Sequence, residues 1–201
     1  MTTVLAGFTT ALLALAPITN PIGALAAFAG LTAGGDPGSV RSQAWKTGGY
    51  VFGILTAFAV SGSVIMRFFG FDLPALQIAG GIVVAHSGFS MLENKRRTTT
   101  DEEQHAAAKE DVSFSPMALP LIAGPGSIVA VMVAVGQAGT NVGSWIAVIV
   151  AVVLAHIVMW LTMRFSLMLS RMLGPGGIML LTKISGLLLA AIATQLIMEG
   201  I

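Results

Sequence analysis

The sequence contains no cysteine and few charged residues. Asp, Glu, Lys and Arg make up only 9% of its 201 residues, against about 25% in a typical soluble domain. The absence of thiols excludes disulfides, iron–sulfur clusters and thiolate zinc sites. With so few charges the chain has too little polar surface to cover itself in water, so an integral membrane protein is predicted.

Basic residues are also absent from the first forty positions, and Arg41 is the first one along the chain. A secretory signal peptide begins with a positively charged region. The first apolar segment is therefore interpreted as a retained membrane span rather than a cleaved leader.

The chain is rich in long apolar runs, with 55% hydrophobic residues and a mean hydropathy of +0.88. A helix needs about 20 mostly apolar residues to cross a bilayer. Six segments of that length can be drawn, at about 4–32, 45–66, 73–92, 114–137, 144–163 and 178–198. The charged stretch 93–112 is interpreted as a solvated cytoplasmic linker. It divides a single membrane domain into a first repeat, 1–92, and a second repeat, 113–201.

A helix-breaking motif occurs twice within these apolar segments. Pro17-Ile-Thr-Asn20-Pro21-Ile-Gly23 lies in the first segment, and Pro120-Leu-Ile-Ala-Gly124-Pro125-Gly126 lies in the fourth, 103 residues later. Each unsatisfied backbone group in lipid costs several kcal/mol, so such breaks must face protein or a wet cavity. Broken helices at matching places in two repeats indicate a substrate site near the bilayer midplane of a secondary transporter.

The third and sixth segments also match, because Gln77-Ile-Ala-Gly80 corresponds to Lys183-Ile-Ser-Gly186 at an offset of 106 residues. Each half has three spans. After an odd number of crossings the chain is on the opposite side of the membrane, so the second half must insert with inverted orientation relative to the first. The predicted fold is an all-α membrane protein with six transmembrane helices. They form two inverted three-helix repeats in which the first and fourth helices are broken.

The distribution of basic residues predicts the orientation. With both termini outside, eight Lys and Arg residues fall on the cytoplasmic side and only Arg67 falls outside, as the positive-inside rule requires. The cytoplasmic residues are Arg41, Lys46, Lys95, Arg96, Arg97, Lys109, Arg164 and Arg171.

The chemistry of the two breaks predicts the ligand. A proline frees the carbonyl four residues earlier, and a helix that restarts after a break presents unpaired N–H groups at the positive end of its dipole. Freed carbonyls suit an ammonium group and the N–H groups suit a carboxylate, so a small zwitterion such as an amino acid is the predicted substrate. The predicted binding residues are Thr19, Asn20, Pro21, Gly23, Ala123, Gly124, Pro125, Gly126 and Ser127.

Four further polar residues within the spans are candidates for supporting or coupling roles. Gln77 and Lys183 hold equivalent positions in the two repeats, and Lys183 either extends to the surface or faces the bundle. His86 and His156 either carry a proton or pack as neutral side chains. No acid lies in the centre of a span, so the coupling routes left open are sodium held by carbonyls and a proton on a histidine.

Other kinds of site are not predicted. Two histidines without a third ligand do not make a metal site, and neither a cofactor nor a nucleic-acid partner is expected. The lipid bilayer is the expected environment, and small residues in the spans leave oligomerisation open.

The combination of motifs resembles the MarC family of membrane proteins. Its first-helix motif resembles Asn20-Pro-Ile-Gly23 with the Ala-Leu-Ala-Ala-Phe-Ala-Gly-Leu-Thr32 run, and its fourth-helix motif resembles Phe114-Ser-Pro-Met-Ala-Leu-Pro120 through Gly126. Its third and sixth helices resemble Ile78–Leu92 and Gly176–Gly186. The resemblance implies a six-span bacterial or archaeal inner-membrane protein. It also implies cation-coupled transport of small neutral amino acids such as glycine and alanine.

Three alternatives to amino acid transport remain open. One is an exporter of another small solute, and another is a structural or regulatory membrane protein. The third is an intramembrane enzyme acting on lipid. That function lacks the usual nucleophile–base or metal constellation, so no catalytic residue is predicted.

Overall fold

The computed structural model describes residues 19–32, 34–93, 111–138 and 141–201. Residues 4–18 of the first predicted span, including Pro17, lie outside the described residues. So do residues 94–110 of the predicted linker, with their four basic side chains. The described part of the chain is helical, in seven segments. They are α1 (Pro21–Leu31), α2 (Pro37–Phe69), α3 (Leu73–Leu92), α4 (Ser113–Ile122), α5 (Pro125–Ala138), α6 (Val142–Arg164) and α7 (Ser166–Gly200).

The prediction of an all-α protein with several membrane spans is confirmed. α2, α3, α6 and α7 are each long and apolar enough to cross a bilayer, and α4 with α5 makes one further span bent by 61°. α1 is the part of the first predicted span that lies within the described residues, and it has 11 residues. The described residues therefore account for up to five spans.

Three of the four long helices, α2, α3 and α6, begin at polar capping residues. The carboxylate of Asp36 accepts hydrogen bonds from the N–H groups of Gly38 and Ser39, and Pro37 occupies the first helical position. Such a cap supplies acceptors for N–H groups that have no partner within the helix. The predicted start of the second span at residue 45 is therefore too late as a helix boundary, because hydropathy marks only the part of α2 that suits lipid.

α7 is longer than the predicted sixth span and is broken near its start. Gly174 adopts φ 61° and ψ 174°, a left-handed φ that glycine tolerates, and Pro175 follows it. The stretch 166–173, predicted as a connection, is helical and forms a first arm, and 175–200 forms the second arm. Met168 and Met172 are exposed on the first arm, so it carries an apolar surface of its own.

The centre of the bundle is a seam between α3 and α7, which run antiparallel. A β-carbon at Gly88 would lie 2.9 Å from the carbonyl oxygen of Gly186, and one at Gly186 would lie 2.8 Å from the carbonyl oxygen of Gly88. The two backbones therefore approach more closely than any larger residue at these positions would allow.

The broken helices pack across the chain's midpoint. α1 packs on α6 and α7, whereas α4 packs on α2 and α5 packs on α2 and α3. α1, α4 and α5 thus each contact long helices from the other half of the chain. This packing places both breaks beside the α3–α7 seam.

A polar tie joins the start of α4 to α2. The ammonium of Lys46 donates to Oδ2 of Asp111 at 2.6 Å, and the N–H of Val112 donates to Oε1 of Gln43 at 3.1 Å. The hydrogen bond from Lys46, followed by that from the hydroxyl of Ser113, lowers the pKa of Asp111 from its ordinary 3.8 to about 2.

This pKa shift predicts a pH-dependent contribution to stability. The pKa of Asp111 is lower in the folded state than in the unfolded state, so the tie stabilises the protein above about pH 4 and is lost as the pH falls towards 2. We expect Asp111→Asn to lower the melting temperature slightly at neutral pH, because both partners are about half exposed. The difference from the wild type should disappear on acidification from about pH 5 to pH 2. A difference that persists at low pH would contradict the assignment.

Candidate functional site

The second helix break is produced by prolines and by the residues that precede them. Ser115 (φ −131°, ψ 125°) and Leu119 (φ −123°, ψ 130°) have extended backbones, the conformation that a residue before proline prefers. α4 ends at Ile122 and α5 begins at Pro125, and the two helices meet at 61°. The break therefore falls within the predicted Pro120–Gly126 motif.

Backbone carbonyls at this break are paired by a side chain as well as by the first helical hydrogen bond of α5. The hydroxyl of Ser127 donates to the carbonyl of Ile122 at 2.6 Å, and the N–H of Ile128 donates to the carbonyl of Gly124 at 3.1 Å. Pro125 has no N–H, so the carbonyl of Leu121 lacks the donor that a regular helix would supply. This carbonyl is available to a ligand.

A cavity of about 100 Å³ lies between this break and the α3–α7 seam. A cavity of about 150 Å³ holds benzene, so this volume suits a ligand of a few heavy atoms. The lining comes from the break itself and from the two seam helices. It consists of Val84, Ser87, Pro120, Leu121, Gly124, Pro125, Gly126, Ser127 and Leu189.

The cavity is polar but carries no charged side chain. Its nine lining residues include two serines and no Asp, Glu, Lys, Arg or His. The first turn of α5 contributes N–H groups that have no acceptor within the helix, at the end of the dipole that favours anions. Leu121, whose carbonyl lacks its helical donor, is one of the lining residues. Donors and acceptors without net charge match a small ligand that carries both signs.

The first break is centred on Asn20. Its backbone has φ 49° and ψ 70°, a left-handed conformation that Asn tolerates better than most residues. Its side-chain oxygen accepts the N–H of Gly23 at 3.1 Å and so caps α1, which begins at Pro21. A β-carbon at Gly23 would overlap the amide of Asn20. Both Thr19 and Asn20 are buried.

The two breaks lie near the same part of α3 without lining one cavity. The amide nitrogen of Asn20 lies 3.8 Å from the sulfur of Met91. Met91 is one helical turn from Ser87, which lines the cavity at the second break. The structure brings Gly124, Pro125, Gly126 and Ser127 together around the cavity. Thr19, Asn20, Pro21 and Gly23 lie outside its lining, as does the buried Ala123.

Gln77 and Lys183 occupy opposite ends of the α3–α7 seam. The amide of Gln77 donates to Glu199 at 3.2 Å, and the ammonium of Lys183 donates to the carbonyl of Leu92 at 2.9 Å. Lys183 therefore contacts the C-terminal end of α3, where a cation complements the helix dipole. Neither residue lines the cavity.

Glu199 gathers amide donors from three helices. Its carboxylate accepts from Gln195 on α7 at 2.8 Å, from Gln77 on α3 at 3.2 Å and from Gln137 on α5 at 3.3 Å. We call this group the glutamine cluster. It ties both seam helices to α5 at the end of the seam opposite Lys183.

The two histidines lie away from the cavity. His86 is exposed on α3. His156 lies on α6, where its Nδ1 is 2.7 Å from the carbonyl of Val152 and its ring packs edge-on against Phe52 at 5.4 Å between centroids. Their predicted coupling role remains a prediction.

The sequence motifs do not identify the cavity residues that come from α3 and α7. Val84 and Leu189 look like any other apolar position in a span, and a lone serine such as Ser87 is as readily a hydrogen-bonding residue between helices. The signal that could have identified Val84 and Ser87 is their shared face on α3, three residues apart. Leu189 gave no signal, because only tertiary packing places it opposite them.

Comparison with known proteins gives consistent matches over nearly the whole chain. The model of the MarC family of integral membrane proteins matches residues 5–201. A membrane protein of Aquifex aeolicus is 34% identical over 96% of this chain and 92% of its own length. A membrane protein of Methanocaldococcus jannaschii is 37% identical over 92% of this chain and 90% of its own. The inner membrane protein MarC of Salmonella paratyphi A is 28% identical over 94% and 91%. No solved structure matches.

Proposed function

This chain belongs to the MarC family of integral membrane proteins, and from that premise we propose that it is a secondary transporter of small neutral amino acids such as glycine and alanine. It spans the membrane several times, and the proposed topology places both termini outside the inner membrane. Transport proceeds by alternating access and is coupled to a proton or to sodium.

The observation that carries this proposal is the uncharged polar cavity at the second break. Its volume of about 100 Å³ excludes large solutes, and its mixture of hydroxyls, helix-start N–H groups and a freed carbonyl suits a zwitterion. In the proposed pose the carboxylate of the substrate lies at the first turn of α5, near Gly126 and Ser127. Its ammonium lies near the carbonyl of Leu121.

The packing supports an architecture of two inverted three-helix repeats. α1 contacts α7 as α5 contacts α3, and α1 contacts α6 as α5 contacts α2. The 106-residue offset that relates Gln77 to Lys183 also relates Glu93, next to Leu92, to Glu199. Under the proposed symmetry the contact of Gln77 with Glu199 corresponds to one of Lys183 with Glu93, and Lys183 contacts the carbonyl of the adjacent Leu92.

The proposal is tested by uptake of labelled alanine and glycine into proteoliposomes under imposed proton or sodium gradients. Ser87→Leu places a large side chain in the cavity and should reduce uptake about tenfold. Ser90→Leu is the matched control, because both serines donate to the carbonyl four residues earlier on α3 but only Ser87 lines the cavity.

Each outcome of the uptake experiment has a defined meaning. Uptake that depends on one gradient and falls only in Ser87→Leu supports the proposal and names the coupling ion. No uptake of either amino acid by folded wild-type protein would contradict the proposed substrate and favour an exporter of another solute. Equal loss in both variants would contradict the assignment of the cavity as the site.

Alternating access requires one end of the α3–α7 seam to open. The glutamine cluster holds one of these ends closed in the proposed mechanism, so weakening it should expose the cavity. Because the chain lacks cysteine, Ser87→Cys gives a single reporter thiol in the cavity. We expect Glu199→Ala to increase its labelling rate by a membrane-impermeant maleimide several-fold, since three helices lose their common acceptor. The reporter Ser90→Cys should change little. An equal rise at both positions would indicate general loosening and contradict a gate at this end.

A further inference from the structure

A cavity of about 350 Å³ opens on the outside of the bundle, between α1 and the two arms of α7. Small residues of α1 form its floor, namely Ala26, Ala29 and Gly30. Leu167 and Ser170 come from the first arm of α7, and Ile178 comes from the second. Arg171 is its one charged residue. We call this cavity the arginine groove.

The sequence keeps this groove open in two ways. Small side chains on α1 leave space above its surface, and a β-carbon added at Gly30 would have no atom within 4 Å. The break at Gly174 and Pro175 turns the first arm of α7 away from the axis of the second. The groove therefore follows from backbone geometry rather than from loose side chains.

Arg171 lies in the groove as a charge beside an apolar surface. Within the described residues no carboxylate forms a salt bridge with it, and the ion pair found there joins Lys46 and Asp111. Its neighbours Met168 and Met172 are 54% and 77% exposed, as expected for side chains that face lipid. A guanidinium carries five N–H donors in a fixed fork, so the groove offers an anion a complementary partner.

We propose that the arginine groove binds an anionic phospholipid. The phosphate accepts hydrogen bonds from the guanidinium of Arg171, which suits phosphate because it can donate two parallel bonds, and from the hydroxyl of Ser170. One acyl chain lies along Ala26, Ala29 and Leu167. Basic pockets between membrane helices bind lipid headgroups in this way, and the apolar floor distinguishes a lipid from a free phosphate ion.

The test compares lipid retention by purified full-length protein. After incubation with phosphatidylglycerol or phosphatidylcholine in detergent micelles, bound lipid is counted by native mass spectrometry. Wild-type protein should retain phosphatidylglycerol in preference to phosphatidylcholine. Arg171→Gln should reduce that retention at least fivefold, and Arg67→Gln, which changes an exposed arginine at the end of α2, should leave it unchanged.

A second variant tests the apolar part of the groove while keeping the charge. Ala29→Leu fills the floor and should also reduce retention, with a melting temperature within a few degrees of the wild type. Equal retention by wild type, Arg171→Gln and Ala29→Leu would overturn the proposal. Equal retention of the two lipids would also overturn it. Displacement of phosphatidylglycerol by millimolar inorganic phosphate would overturn it too, because it would show that the groove binds a free anion and not a lipid. A dimer that Arg171→Gln dissociates without loss of lipid would assign the groove to a second copy and overturn it as well.

Discussion

Gly88→Ala is expected to lower the melting temperature of the detergent-solubilised protein by several degrees. The added β-carbon would lie 2.9 Å from the carbonyl oxygen of Gly186 and 3.0 Å from the nitrogen of Ala190. Both atoms belong to the backbone of α7, so the clash cannot be relieved by rotating a side chain and the seam must widen. Overpacking of this kind costs about 1–3 kcal/mol, occasionally more, and each kcal/mol shifts the melting temperature of a chain this size by about 2–4 °C.

Gly53→Ala is the matched control for this prediction. Gly53 also lies inside a long helix, α2, but a β-carbon there would have no atom within 4 Å. Replacing a glycine by alanine inside a helix gains about 0.5–1 kcal/mol, and this gain is common to both variants. The control should therefore be as stable as the wild type or more so. If Gly88→Ala matches it in a thermal melt, the two backbones do not approach as described.

Much of the helical architecture could be predicted because lipid imposes a simple rule on the sequence. Long apolar runs have to form helices in a bilayer, and the runs at 73–92 and 144–163 agree closely with α3 and α6. Helix boundaries that lie outside the apolar runs were less predictable, because hydropathy does not mark them. The Asp36 cap extends α2 beyond its apolar stretch, and the Gly174 break creates a helical arm where a connection was expected.

The part of the candidate site that could be predicted is the helix break, because proline and glycine mark it directly in the sequence. Proline and glycine at 120–126 located the second break, since proline cannot complete a helical hydrogen bond. The opposite wall of the cavity comes from Val84, Ser87 and Leu189, which are ordinary residues brought there by the packing of α3 and α7. Glu199 lies just past the last predicted span, where nothing in the sequence indicates that it accepts from amides on three helices.

Asn20→Ala is expected to reduce amino acid uptake in proteoliposomes to background. The variant loses the side-chain oxygen that accepts the N–H of Gly23, a cap worth about 1 kcal/mol. It also places alanine at φ 49°, a left-handed conformation that costs an L-residue roughly 1–2 kcal/mol. Both losses favour a straighter chain at Pro21, so the bent geometry on which the proposed mechanism depends would no longer be the stable one.

Asn20→Gly and Asn20→Asp separate these two contributions. Glycine accepts the left-handed backbone but lacks the cap, so Asn20→Gly should retain more uptake than Asn20→Ala. Aspartate keeps the cap but places a charge where Asn20 is 1% exposed, and an unpaired buried charge is costly. We therefore expect Asn20→Asp to be impaired at neutral pH and to recover as acidification neutralises it. If Asn20→Ala transports at the wild-type rate while remaining folded, the first break takes no part in transport, and the site rests on the cavity at Gly124–Ser127 alone.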